Sequence, residues 1–364
     1  MFASAHRIEP ALRALDLDDL PGLQLLDAGA FAGLYHPPLN PDVAALVVPV
    51  RAEHLSDLQQ VLLNQYPATH ALRLVHFSDT GAAAAPALLG ELQRAALDGE
   101  GALYVPPLAV PSSLERFQDT IAHLRAPEGC PWDRKQTHQS LRPYLLEETY
   151  EVLDALDSGD VGALREELGD LLLQIVLHSQ IAVDAGEFRM ADVIAAIDEK
   201  IVRRHPHVWG TTEVQDDQDV KVNWDRLKQV EKQKTRQSRL DGVPKSLPAL
   251  SQAFSYQDRA ARVNFDWDTV EPVIAKLYEE IEEVLTAEDA EARAGEVGDL
   301  LFAAVNLARW LDVEPESALR GSNARFYRRF SYIEQEAERQ GRALDEMTLA
   351  EMDTLWDQAK ANGL

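Results

Sequence analysis

The 364-residue sequence predicts a mainly α protein, in which two tandem all-α helical-bundle domains follow a small α/β domain. Three observations predict it. Short β-rich runs alternate with amphipathic segments only before about residue 108. From Pro111 onward apolar residues recur at helical spacing. An acidic pattern also occurs twice: Glu147-Glu148-x-x-Glu151 with Glu167-x-x-Asp170, and Glu279-Glu280-x-x-Glu283 with Glu296-x-x-Asp299. A pattern that repeats at fixed spacing marks a duplicated unit.

Residues 1–108 form the expected α/β domain. Strands are predicted at Ala45 to Val50, His70 to Phe77 and Ala102 to Val105, with amphipathic segments over His54 to Tyr66 and Ala87 to Ala96. No glycine-rich turn opens a helix here, and no cluster of Cys, His or acids occurs, so no site chemistry is expected. Residues 112–240 form the first helical domain, with helices over Glu115 to Leu124, Leu141 to Leu156, Val161 to Val183 and Asp192 to Arg204. Asp157-Ser158-Gly159-Asp160 is the turn between the second and third, and Pro206 stops the fourth. A polar stretch over 215–239 leads to Gly242, Pro244 and Pro248 and reads as a linker. The second helical domain is 248–364. Glu147 to Glu279, Glu148 to Glu280 and Trp224 to Trp356 are each 132 positions, Glu167 to Glu296 is 129, and Leu168-Gly169-Asp170-Leu171-Leu172 matches Val297-Gly298-Asp299-Leu300-Leu301.

The formal net charge of −26 excludes nucleic-acid polymers, whose phosphate backbone is bound through excess Lys and Arg. Cys130 stands alone, so no intrachain disulfide and no cysteine-based metal site can form. With no leader-like segment and no apolar run near membrane-spanning length, a cytoplasmic protein without a membrane partner is expected.

Residues three and four apart share a helix face, so Glu148 with Glu151, and Glu167 with Asp170, are pairs that can aim at one point. Two such helices packed antiparallel make an oxygen-only cage suited to Mg²⁺ or Mn²⁺ rather than zinc. Glu280, Glu283, Glu296 and Asp299 repeat the set. The ordinary explanation of acids at this spacing is a solvated face. Against it, Asp170 lies in LGDLLLQIVLHSQIAV, a helix that reads as buried and carries Asp170, Gln174 and His178 as one polar stripe. A basic pair trails each quartet, Lys200 and Arg204, then Arg325 and Arg329. Trp224 with Lys228, and Trp356 with Lys360, come next. Each pair is four residues apart; the first kind can grip phosphate oxygens and the second can stack a base beside a phosphate. Carboxylate-held metal facing Lys and Arg is the arrangement for phosphoryl or pyrophosphoryl chemistry. Glu279, left over beside Glu280, is the candidate general base, with Glu147 in that place in the first copy.

At these residues the sequence resembles the MazG family of nucleoside triphosphate pyrophosphohydrolases, within the all-α NTP pyrophosphatase superfamily. The likeness runs through Gly129-Cys130-Pro131-Trp132-Asp133, Leu145-Leu146-Glu147-Glu148 and Arg203-Arg204-His205-Pro206-His207-Val208 in the first copy. In the second it runs from Phe265-Asp266-Trp267 through Glu279-Glu280 and Gly298-Asp299-Leu300-Leu301-Phe302 to Asn306-Leu307-Ala308-Arg309. The resemblance implies hydrolysis of an NTP to the NMP and diphosphate with Mg²⁺, on bundles that dimerise, with the second copy active. It adds Lys276 to a site of Glu280, Glu283, Glu296, Asp299, Arg325, Arg329, Trp356 and Lys360. Two departures stand out: Arg325 where the family often has Lys, and Ala292-Arg293-Ala294-Gly295 where it commonly has Lys and Glu, with Gly295 expected to weaken its helix. In the first copy Tyr144 takes the place of Lys276. Leu23 to Ala28 and Leu103 to Leu108 are similar to a truncated tetrapyrrole methylase domain without the methyl-donor glycine motif, so no methylase activity is expected. A ferritin-like di-iron protein needs Glu-x-x-His, which the chain lacks. A nucleotide-sensing or partner-binding protein, and a dUTP-specific or phosphoribosyl-ATP enzyme of the same superfamily, stay open as alternatives.

Overall fold

The computed structural model describes residues 5–17, 21–79, 81–216, 219–220, 223–224, 227 and 238–364. These divide into two compact units, Met1–Glu147 with Gly169–Val193, and Glu148–Leu168 with Ile194–Leu364.

In the first unit a five-stranded sheet is built from β1 (Gln24–Leu26), β2 (Ala45–Val50), β3 (Ala71–Ser78), β4 (Gly81–Leu88) and β5 (Gly101–Val105), in the order β1-β2-β5-β3-β4. β1 runs parallel to β2 and every other pairing is antiparallel. Successive side chains of a strand point to opposite faces. Val47, Leu74, Leu103 and Val105 accordingly enter one core with Phe31 and, from α2 (Leu55–Leu62), Leu58 and Leu62. Leu46, Val48, Val75 and Tyr104 enter the other with Ala11 and Leu15 of α1 (Ala5–Leu15). With both faces covered, β2 needs no polar alternation, which is why it reads as an unbroken apolar run.

The same unit holds α3 (Leu114–Arg125), whose N-cap Ser113 accepts from the Arg116 amide at 3.0 Å and donates its hydroxyl to Asp42 at 2.6 Å. Ile121 of α3 packs with Leu141, Val176, Leu177 and Ile181. α4 (Arg142–Ser158), α5 (Val161–Ala185) and α6 (Met190–Arg204) are long helices whose residues divide between the two units. Gly159 takes φ 71° between α4 and α5, a left-handed conformation that favours glycine.

α5 departs from two expectations. Leu168 (50%), Leu172 (39%) and Ile175 (41%) are exposed while Gln174, Val176, Leu177 and Ile181 are buried, so the helix is only partly buried. By length and composition it is also apolar enough to cross a membrane, although it carries Arg165, Glu166, Glu167, Asp170 and Asp184. Pro206 ends α6 as expected but also opens a one-turn helix, α7 (Pro206–Trp209), because proline is tolerated where a helix starts.

The second unit contains α8 (Ala249–Ala261), α9 (Val270–Thr286), α10 (Ala290–Trp310), α11 (Pro315–Arg339) and α12 (Leu349–Ala361). α9 and α10 pack on each other, α8 lies against α10 and α11, and α12 docks on α11 around Ile333, Ala337, Met347 and Leu355. Their starts are capped. Asp289 accepts from the Ala292 amide at 2.8 Å, and Thr348 with Glu351 forms a reciprocal capping box. α10 runs unbroken through Gly295, so tertiary packing keeps the helix that the glycine was expected to weaken.

Candidate functional site

The site in the second copy is built on the α9–α10 pair. Helical spacing puts Glu280 and Glu283 on one face of α9, and Glu296 is added from α10, so that one carboxylate oxygen of each lies within 4.8 Å of the others. Glu280 is the buried member, 4% exposed. Its Oε1 accepts from Lys276 Nζ at 2.7 Å, while its Oε2 is buried without a partner. Lys276 Nζ also reaches Glu279 Oε1 at 2.7 Å, and the carboxylates of Glu279 and Glu280 hold its ammonium well above the ordinary lysine value. Glu283 titrates above the usual carboxylate range, chiefly through desolvation, against the lowering effect of nearby Lys276 and with smaller raising contributions from the charges of Glu280, Glu296 and Glu279. Three converging carboxylates, one of them with a buried oxygen left over, suit a hard divalent cation.

Asp299 is outside that three-oxygen cluster, but it lines a cavity of about 560 Å³ together with Lys276, Glu280 and Glu283. The rest of the wall is of another kind. Tyr256 and Gln257 come from α8, Phe302 and Asn306 from α10, and Phe265, Asp266 and Trp267 from the segment before α9. Glu279 does not line this cavity; it borders a shallower one with Tyr278, Glu282, Glu283 and Thr286.

The first copy brings together Glu148, Glu151 and Glu167, with one oxygen of each inside the same 4.8 Å span. Asp170 belongs to the other compact unit. Within that unit, Tyr144 meets Trp132 edge-on, with ring centroids 5.8 Å apart at 77°, at the places of Lys276 and Trp267 in the second copy. The polar stripe of α5 has a separate partner: His178 stacks on His138 at 5.1 Å with their Nδ1 atoms 2.8 Å apart. Gln174, next along the stripe, is 5% exposed.

The trailing basic and tryptophan residues meet each other in both copies. The Arg204 guanidinium lies 5.4 Å from the Trp224 ring, and that of Arg329 lies 5.4 Å from Trp356. Arg204 is buried at 8% exposure, whereas Arg329 donates through Nε to the Leu364 carbonyl at 2.7 Å. Arg325 donates to Ser322 Oγ at 2.8 Å, and Lys360 pairs with Asp357 at 3.1 Å. Lys200 is half-buried on α6, and Lys228 lies outside the described residues. Arg325, Arg329, Trp356 and Lys360 are not part of the cavity wall.

Sequence reasoning did not single out Gln257, and it quoted Asp266, Asn306 and Arg309 only as part of the likeness, with no site role. Arg309 Nη2 donates to both Asp266 oxygens at 2.7 Å and its Nε donates to Asn306 Oδ1 at 3.1 Å. Asp266 and Arg309 are 43 residues apart, so no periodicity joins them and only the fold does.

The family model of the MazG nucleotide pyrophosphohydrolase domain matches residues 136–209. The Bacillus subtilis protein YabN, whose name calls it uncharacterized, is 41% identical over 367 residues, covering 97% of this chain and 74% of that protein. A Thermotoga maritima protein named nucleoside triphosphate pyrophosphohydrolase/pyrophosphatase MazG is 44% identical over 246 residues, 68% of this chain and 95% of the relative. An Escherichia coli K12 protein named nucleoside triphosphate pyrophosphohydrolase is 44% identical over 256 residues, 68% of this chain and 97% of the relative. With the duplicated carboxylates carried on helical domains behind an α/β domain, the chain belongs to the MazG family.

Proposed function

We propose that the chain is a nucleoside triphosphate pyrophosphohydrolase that cleaves NTPs and dNTPs to the monophosphate and diphosphate, with its active centre in the second copy. The observation that carries this reading is Glu280: a buried carboxylate with one oxygen unpaired and the other on Lys276, in a cluster with Glu283 and Glu296. The names of the Thermotoga and Escherichia relatives support it.

Glu280, Glu283, Glu296 and Asp299 are the residues to hold Mg²⁺, with Mn²⁺ as a substitute. Bound there, the ion would neutralise phosphate charge and lower the pKa of the attacking water. Lys276 offsets the acids and can turn to a phosphate oxygen when the cation takes its place beside Glu280. Glu279, adjacent to this group and 57% exposed, accepts the water proton at its carboxylate. Arg325, Arg329, Trp356 and Lys360 bind the substrate's phosphates and sugar-base portion. Because they do not line the cavity, the reading includes a homodimer, consistent with exposed Tyr278, Leu285, Phe326 and Tyr327 on α9 and α11. In the first copy Glu148, Glu151 and Glu167 are the residues to hold a metal, and Lys200, Arg204, Trp224 and Lys228 are the corresponding substrate set. A cytoplasmic role in nucleotide-pool housekeeping, without nucleic-acid polymers or membranes, completes the reading.

The test is diphosphate release from an NTP and dNTP panel, with and without Mg²⁺. Release that needs Mg²⁺ and disappears in Glu280→Ala is the expected result. No turnover above that variant overturns the enzyme reading.

A further inference from the structure

The residues that follow α12 form a closed turn. Gly363 takes φ 80°, its amide donates to the Lys360 carbonyl at 3.0 Å, and the Leu364 amide donates to the Ala359 carbonyl at 3.1 Å. Two such bonds around a left-handed glycine make the Schellman motif, which satisfies the last carbonyls of a helix. Leu364 is half-buried, although Ala361, Asn362 and Gly363 before it are exposed. Closing the helix does not require what the turn does next. The Leu364 carbonyl is directed onto α11, where it accepts from Arg329 Nε at 2.7 Å.

Trp356 holds the same guanidinium from another side. The Arg329 guanidinium lies 5.4 Å from the Trp356 ring, and Phe326, three residues before Arg329 on α11, meets that ring at 5.4 Å with a tilt of 54°. An arginine carries five N–H donors in one rigid plane, and the carbonyl takes the Nε–H. The bond therefore does not use the Nη1 and Nη2 edge, the edge that fits two oxygens of a phosphate side by side. Arg325 is placed differently, since its Nη2 donates to Ser322 Oγ of its own helix. A guanidinium fixed through Nε and over an indole presents its far edge in a set direction, whereas a free arginine must lose that rotamer freedom when it binds.

We propose that Leu364 is a positioning residue for Arg329: its carbonyl, aimed by the Gly363 turn, holds the guanidinium with Nη1 and Nη2 ready for a substrate phosphate. The inference rests on the nucleotide reading above, in which Arg329 binds phosphate, and adds what orients it. It is specific to one copy. The 132-position offset of Trp224 and Trp356 puts Glu231 and Lys232 at the places of Gly363 and Leu364, so the sequence of the first copy has no glycine for such a turn.

Gly363 is the place to test this, because a left-handed φ is strained for a β-branched residue and tolerated by asparagine. The full chain with Mg²⁺ is titrated calorimetrically with α,β-methylene-ATP, which cannot be cleaved between the α and β phosphates. Gly363→Val should weaken binding about three- to tenfold, the effect of ordering one long side chain anew. Gly363→Asn should keep the wild-type affinity, and Arg329→Ala should lose at least as much as Gly363→Val. In the Arg329→Ala background Gly363→Val should change affinity by less than about twofold, because no guanidinium is left to position. A loss that persists in that background reports general loosening of α12 and overturns the inference, as does unchanged affinity in Gly363→Val or equal loss in both Gly363 variants. Tighter binding by Gly363→Val also overturns it, since Leu364 would then compete with phosphate for Arg329. Each of these results leaves Arg329 as a phosphate residue. Unchanged affinity in Arg329→Ala is a different failure: it overturns the phosphate role of Arg329 in the nucleotide reading, and the positioning role falls with it.

Discussion

The two copies share a carboxylate cluster and an arginine stacked on a tryptophan, yet they differ at the residue beside the acids. In the second copy Lys276 bonds the buried Glu280, and Trp267 lines an open cavity. In the first, Tyr144 stands at the lysine position and its ring meets Trp132. One copy has a lysine bonded to its acids; the other has two aromatic rings in mutual contact. The acids match between the two copies while the residues around them differ, which teaches that the acidic pattern alone does not tell one copy from the other.

The sharpest way to break this comparison is to remove the matching acid from each copy. Glu280→Gln should lower diphosphate release by about 100-fold or more, because it takes a carboxylate oxygen from the proposed metal site and leaves Lys276 without its buried partner. Glu148→Gln should cost less than about fivefold, since that cluster is not accompanied by a lysine at position 144. Equal losses in steady-state kinetics would show that the copies share the work.

Exchanging the neighbouring residue gives the next largest effect. Lys276→Tyr should reduce kcat/KM about tenfold, roughly 1.4 kcal/mol of transition-state stabilisation. Tyr144→Lys in the Glu280→Gln background should recover less than about twofold, because the first copy has Pro131 and Gln180 where the second has its Asp266–Arg309 ion pair. Full recovery would show that the lysine alone distinguishes the copies.

Much of this was legible in the sequence where the signal is local. The acid clusters lie on helices whose 3.6-residue period aligns Glu280 with Glu283, and β2 was readable because both its faces are buried. β4 was not, since Gly81-Ala-Ala-Ala-Ala-Pro-Ala-Leu88 has weak strand propensity and is held by pairing along all of β3. α1 was missed because Pro10 sits inside it. Asp266 and Arg309 were legible as motif residues but not as a pair, because they are 43 positions apart and no periodicity joins them. The basic pairs were legible as residues and not as roles, since the second residue of each pair, Arg204 or Arg329, turns onto a tryptophan.

That shared stack supports a third, smaller prediction. Arg204 is buried against Trp224, so Arg204→Ala should lower folding stability by about 2 kcal/mol through lost packing and an uncovered ring. Arg329→Ala removes a guanidinium bonded to the Leu364 carbonyl and should act mainly on KM for the nucleotide. Thermal unfolding and steady-state kinetics on both variants check the division; a larger stability loss for Arg329→Ala would reverse it.

The smallest effect concerns the histidine pair of the first copy, which the second replaces with Leu307 at the His178 position, 129 residues on. Burial, and then the neighbouring His138 ring, hold His178 below the 6.5 of an ordinary imidazole. The unfolded chain therefore takes up a proton near that value, while the folded chain refuses it until the pH is lower. This group costs no stability above about pH 6.5 and an increasing amount as the pH falls beneath it, until the folded imidazole protonates as well. His138 faces the group at 2.8 Å and carries Glu187 at 3.7 Å on its far nitrogen, so part of any charge gained on that ring is offset. His178→Leu, which installs the second copy's residue, should lower the melting temperature at pH 7.5 by removing the ring contact, yet lose less on going to pH 5.5 than the wild-type chain does. Parallel slopes for the two proteins in calorimetry would show that this pair does not distinguish the copies by pH.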